Sequence, residues 1–146
     1  MSKDSRVYLI TGDLGYGVLD RIRQDFPDRF INVGASEQLM VGMAVGMAHS
    51  GLIPLCYSIT PFVLYRPFEI IRNYMNYEKA PVKLVGSGRS KDYALGGISH
   101  WADDDVQIVE AAFPNVKMFR PERDNLVKTF EEFMDCADPC YINLGR

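Results

Sequence analysis

The stretch 29–51, RFINVGASEQLMVGMAVGMAHSG, constrains the fold more than any other part of this 146-residue chain. It reads as a short strand, Arg29-Phe-Ile-Asn-Val, a turn at Gly34, and a helix opening at Ser36 and closing near His49-Ser50-Gly51. Serine suits an N-cap, because its hydroxyl can accept a hydrogen bond from an unpaired first-turn amide. Glu37 falls in the first turn, where the positive end of the helix dipole favours a carboxylate. Gly42, Ala44, Gly46 and Ala48 carry almost no side chain, so this helix can press closely on a sheet or a second helix. It is apolar nearly all round, which predicts burial on more than one side. In a chain this short the second side is expected to be another subunit. Glu37 has two readings: a carboxylate favoured by the dipole, or a working acid at the carboxyl edge of a parallel sheet, where open α/β folds place ligands.

The flanking sequence supplies that sheet. Strands are predicted at 6–11, 29–33, 53–59, 82–85, 116–119 and 141–144, from short apolar runs bounded by turn residues. Between them lie helical periods at 17–26, 36–50, 66–77, 104–113 and 122–136, with Thr60-Pro61-Phe62 read as a break. Asp103, Asp104 and Asp105 are favourable at the start of the fourth helix. Strands alternating with helices predict an α/β fold: a three-layer α/β/α arrangement around a mostly parallel sheet of about six strands, joined by right-handed crossovers. No internal repeat or linker interrupts it, and a chain of this length is expected to form one domain, 1–146, with a sizeable core.

Composition narrows the function classes. A net charge of −3 leaves no electrostatic footprint for nucleic acid, and no apolar run approaches the roughly 20 residues that span a bilayer. The N-terminus lacks the order of a signal peptide, and three cysteines without a close pair suit reduced thiols in the cytoplasm. Cys136 and Cys140 have no histidine or third cysteine nearby, so no metal site is expected of this chain.

Three further stretches carry chemistry. GDLGYG at 12–17 follows a strand and opens a helix as a phosphate loop does, but it lacks the Lys-Ser/Thr of a P-loop. A turn needing positive φ explains it as well, with Asp13 able to point into a site. In SITPFVLYRPFEIIR at 58–72, Phe62, Tyr65 and Phe68 surround a turn, where rings are usually core; Phe62 could instead offer a stacking face to a planar ring. The Gly-rich segment 86–103 is long for a compact domain, which favours a functional role. It carries His100 beside the only tryptophan, whereas His49 reads as structural.

Together these motifs resemble the pyrimidine-binding domain of transketolase and related thiamine diphosphate enzymes. GASEQLMVGMAVGMAHSG matches the family's Glu-Gln signature and small-residue helix. Pro54, an aromatic turn, Arg66 with Glu69 and Arg72, Gly-Ile-Ser-His at 97–100 and Asp105 follow in the family's order, then Phe113-Pro-Asn-Val and Pro139-Cys-Tyr-Ile-Asn-Leu. The resemblance covers roughly residues 6–146.

The resemblance implies a catalytic role for Glu37: the matching glutamate hydrogen-bonds N1′ of the cofactor's aminopyrimidine and favours the imino tautomer, whose exocyclic nitrogen deprotonates thiazolium C2. It implies that Phe62 stacks on the pyrimidine, with Tyr65 and Tyr57 competing for that place, and that Asp13 lies near the site. His100 resembles a histidine that contacts a sugar substrate or assists proton transfer. A diphosphate-binding segment and a third, C-terminal domain are not recognisable here. The resemblance therefore implies that Mg²⁺ and the diphosphate are held mainly by a partner subunit, in a hetero-oligomer, a homodimer or both. The implied reaction is two-carbon transfer between sugars or sugar phosphates. A split 2-oxo-acid decarboxylase of the sulfopyruvate or phosphonopyruvate kind is the alternative enzyme, and a non-catalytic assembly subunit the alternative class. An unpaired buried acid would be costly in a mere scaffold.

Overall fold

The computed structural model describes residues 1–145. The apolar runs form β1 (Val7–Thr11), β2 (Phe30–Asn32), β3 (Ile53–Ile59), β4 (Lys83–Ser87), β5 (Lys117–Phe119) and β6 (Cys140–Leu144). They make one sheet in the order β2-β1-β3-β4-β6-β5, and every neighbouring pair is parallel. The helices are α1 (Asp20–Asp25), α2 (Glu37–His49), α3 (Thr60–Tyr65), α4 (Phe68–Ile70), α5 (Asp105–Ala112) and α6 (Leu126–Asp135).

Strand alternation sends successive side chains to opposite faces. Ile10, Cys56, Leu84 and Tyr141 face the larger core with Met40, Val41, Val63, Ile71, Val109 and Phe113, contributed by the elements from α2 to α5. Leu9 and Leu55 face the other side with Leu19 and Ile22, while Val85 and Ile142 meet Phe133 of α6. The sheet is thus covered on both faces, as parallel sheets require. Among the described residues no helix is long and apolar enough to cross a membrane.

Several local expectations change. Thr60-Pro61-Phe62 is not a break: it opens α3, with Pro61 in the first turn, where a missing N–H costs no helical bond. The helix expected at 66–77 is split into the three residues of α4 and a π-helix, Ile71–Tyr77. Helix α1 begins later than its apolar period, because Gly15 and Gly17 have φ of +86° and +78°, outside helical space. Ser36 precedes α2 but its hydroxyl makes no capping bond; at φ −138° and ψ 69° only its carbonyl joins the helix, accepting from the Met40 amide. Helix α2 is buried along Met40, Val41, Ala44, Val45 and Ala48, while Leu39 is 57% exposed and His49 lies on the surface. Within the single chain one side of the apolar circumference is covered, and the side expected to meet another subunit, around Leu39, is exposed. Asp105 is no surface charge at a helix start: it is buried, accepting hydrogen bonds from Tyr141 (2.9 Å) and Arg120 (3.5 Å).

Candidate active site

The carboxyl ends of β1, β2 and β3 converge on Glu37, the first residue of α2. Its side chain is 1% exposed, and both oxygens are fixed. Ser58, near the end of β3, donates its hydroxyl to Oε1 at 2.9 Å, and Arg66, just past α3, donates Nη1 to Oε2 at 2.7 Å. Gly12, following β1, closes the third side: a Cβ there would stand 3.0 Å from Oε1, so this position needs glycine for space. The acid is therefore buried but paired. Arg66 supplies the partner that the sequence reading lacked, so burial cost alone does not separate a catalytic subunit from a scaffold.

Phe62 lies one helical turn before Arg66, and the Arg66 guanidinium carbon sits 3.7 Å from its ring centroid. The His100 ring meets the same phenyl edge-on at 4.8 Å. Glu37, Arg66, Phe62 and His100 thus form one contiguous cluster. His100 is oriented by its own loop, with Nδ1 2.9 Å from the Ser99 hydroxyl and 3.1 Å from the Gly96 carbonyl.

The other two aromatic candidates are placed differently. Tyr57 points to the opposite face of the sheet, packing with the α1 and α6 cores, because it is one residue from Ser58 on the same strand. Tyr65 donates its hydroxyl to Asp104 and packs on the larger core; burial raises the Tyr65 phenol well above its ordinary range. Asp13 has φ +59° and lies exposed beside Gly12. It accepts hydrogen bonds from Tyr16 and from Asn32 Nδ2, which lower its pKa, and its amide donates to Asn32 Oδ1.

A buried polar network beneath the loop was not found from sequence. Asn143 of β6 donates to the Thr60 hydroxyl (3.1 Å), the Tyr141 hydroxyl (2.9 Å) and the Gly88 carbonyl (3.3 Å). Arg89 reaches back to Asn143 Oδ1 at 2.7 Å and to its carbonyl at 2.9 Å. Gly86 admits this network: a Cβ there would meet the Thr60 hydroxyl at 2.7 Å. The start of the segment carrying His100 is so tied to β6, and the segment closes on itself where the Ala102 amide donates to the Ser90 carbonyl. The only sequence signal was a lone amide inside the apolar run YINL. Cys140, in turn, aims its thiol at the Asp138 carbonyl at 3.0 Å, and burial raises its pKa to about 12.

Taken together the cluster offers a water-shielded carboxylate and, one side chain away, an aromatic face on which a planar cation already rests. Arg66 is a built-in demonstration that a flat N–H donor stacked on Phe62 can reach Glu37. An aminopyrimidine fits that description, and Glu37 and Phe62 are the residues that would hold it.

Comparison with known proteins gives the family. Residues 1–146 match the transketolase pyrimidine-binding domain. A Methanocaldococcus jannaschii protein named as a transketolase C-terminal section is 35% identical over 127 residues, covering 84% of this chain and 39% of that one. A 6-deoxy-6-sulfo-D-fructose transketolase subunit of a Clostridium species is 32% identical, covering 99% of this chain and 45% of its own length. A solved split-gene transketolase, described as an inactive beta4 tetramer, superposes with a TM-score of 0.83 at 28% identity, over 99% of this chain and 47% of that one. The chain thus spans less than half the length of these relatives. With an all-parallel six-stranded sheet, a signature helix and a family match along its whole length, this chain belongs to the transketolase pyrimidine-binding domain family.

Proposed function

We propose that this chain supplies the pyrimidine half of a composite thiamine diphosphate site in a transketolase-like enzyme of the cytoplasm. The diphosphate and Mg²⁺ would be held by a partner subunit. The observation that carries the reading is the Glu37 carboxylate, 1% exposed at the sheet's carboxyl edge beside the Phe62 ring. Bound thiamine diphosphate supplies an electron sink for cleaving a carbon–carbon bond next to a carbonyl.

This chain's residues do the rest. Ser58 holds Oε1 of Glu37 so that Oε2 faces the place where a ring nitrogen would lie. Exclusion of water keeps a shared proton between that oxygen and the ring instead of losing it to solvent. Phe62 fixes the ring plane by stacking. His100, held at the edge of Phe62, is placed to contact a sugar hydroxyl or carbonyl. Asp13, one residue beyond Gly12, stands at the rim of the same site. Transketolase subunits among the relatives favour two-carbon transfer between sugars or sugar phosphates over 2-oxo-acid decarboxylation. The uncovered side of α2, around Leu39, suits the subunit contact that a composite site needs.

The test is calorimetric titration of thiamine diphosphate with Mg²⁺ into this chain, alone and mixed with a diphosphate-domain subunit. Tight binding is expected only in the mixture, and Glu37→Gln should lower the mixture's activity by about 10²–10⁴-fold. Tight binding to the chain alone would mean that the diphosphate site lies here. A fully active Glu37→Gln mixture would leave the scaffold reading standing.

A further inference from the structure

We propose that Arg66 is a resident occupant of the aminopyrimidine seat, and that its displacement sets how readily the ring binds. The inference rests on the reading of Glu37 and Phe62 given above. Three features of Arg66 carry it. Its Nη1 lies 2.7 Å from Glu37 Oε2, the oxygen that Ser58 leaves unoccupied. Its guanidinium covers the Phe62 ring at 3.7 Å from the centroid. One planar cation therefore fills both contacts that an aminopyrimidine protonated at its ring nitrogen would make: an N–H aimed at the carboxylate and a flat face on the phenyl ring. On that oxygen and that ring face the two compete.

The two partners of the pair differ in freedom. The Glu37 side chain is 1% exposed and fixed by Ser58, whereas the Arg66 side chain is 44% exposed and stands between α3 and α4. Arg66 is the half that can leave. A ligand whose seat is occupied binds more weakly by the fraction of time the seat is free. In exchange, the buried carboxylate is never left without a cation while the ring is absent. Arg66 is in this sense a positioning residue that trades places with the ring, not a catalytic one.

The probe is 4-amino-2-methylpyrimidine, which needs no diphosphate site, titrated into this chain and followed by NMR. The Arg66 Nε–H signal of the unaltered chain is expected to shift and to exchange faster with water as the fragment binds, because the guanidinium is released to solvent. Arg66→Ala should bind the fragment about tenfold more tightly if the seat is filled about nine-tenths of the time, and added methylguanidinium should compete with it. Glu37→Gln and Phe62→Ala should each abolish binding. Should Arg66→Ala fail to fold, the Nε–H signal of the unaltered chain still decides. Fragment binding that needs Glu37 but leaves the Arg66 signal unmoved, or that weakens in a folded Arg66→Ala, overturns the displacement and leaves the site reading intact. No binding to any form overturns both.

Discussion

On one face of the sheet, Ile10, Cys56, Leu84 and Tyr141 are fully buried beneath the elements from α2 to α5. On the other, Leu9, Leu55, Tyr57 and Val85 border an apolar groove of about 630 Å³ between α1 and α6. The two faces come from the same strands with alternating residues, so the difference lies in what covers them. Four helices and the π-helix Ile71–Tyr77 return over the first face, whereas α1 and α6 alone lie over the second. Glu37, Arg66, Phe62 and His100 all stand at the edge of the closed face. A buried carboxylate needs fixed partners, and fixed partners need a packed wall behind them. The open face carries no such burden.

The largest effect should come from opening the closed face. Phe113, wholly buried and packed on Phe68 at 4.9 Å, should cost about 3–5 kcal/mol as Phe113→Ala. Phe130, 37% exposed at the groove, should cost less than about 2 kcal/mol as Phe130→Ala. Urea denaturation of both variants measures the gap; equal losses would break the comparison.

Lys83 tests the boundary between the two faces. Its Nζ is buried and donates to the carbonyls of Phe133 and Cys136 at the end of α6, at 2.7 and 2.8 Å. Lys83→Met leaves those acceptors unpaired and should cost about 1–3 kcal/mol. Burial lowers the Lys83 pKa. The folded chain therefore releases this proton before the unfolded chain does, and between the two pKa values the unfolded state binds more protons. Stability from this group accordingly rises with pH across that alkaline window. Comparing alkaline denaturation curves of the native chain and Lys83→Met should show the rise only in the former.

A smaller effect belongs to the rim of the open groove. Val18 is 72% exposed there, so Val18→Glu should change stability by no more than about 0.5 kcal/mol. It should still lower the fluorescence of a hydrophobic dye bound to the chain, since it puts a charge on the apolar rim. An unchanged dye signal would mean that the groove is not the chain's exposed apolar surface.

The fold was largely legible because alternation of apolar runs and helical periods is a long-range signal. Strand β3 fell on its predicted bounds, and the helix behind Glu37 was displaced by one residue at its start. What failed was local and depended on tertiary partners. Thr60-Pro61-Phe62 was read as a break, yet a proline at a first turn is well suited to helix. The π-helix has no periodic signature of its own in seven residues. At the candidate site, the structure brings the expected Glu37 and Phe62 together through Arg66, and strand parity sends Tyr57 to the other face. Ser58 and the pairing of Glu37 with Arg66 were not legible: their separations of 21 and 29 residues carry no periodicity. Asn143 was hidden for the same reason, its partners lying 55 and 83 residues away.

Asp13 gives the finest probe of the closed face, because it follows Gly12, whose missing side chain makes room for Glu37. The Tyr16 hydroxyl and the Asn32 amide hydrogen-bond its carboxylate and hold its pKa below the ordinary carboxylate range. A depressed folded pKa means that the native state binds fewer protons than the unfolded chain in the acid window. The contribution is present above the ordinary carboxylate value and is lost as pH falls through the folded one. Asp13 is exposed, so solvent screens it and the effect on stability is small. The titration itself is measurable by carboxyl NMR. Tyr16→Phe removes the larger cause and should move the Asp13 midpoint upward. If the Asp13 midpoint stays put, the loop after β1 is not held as described.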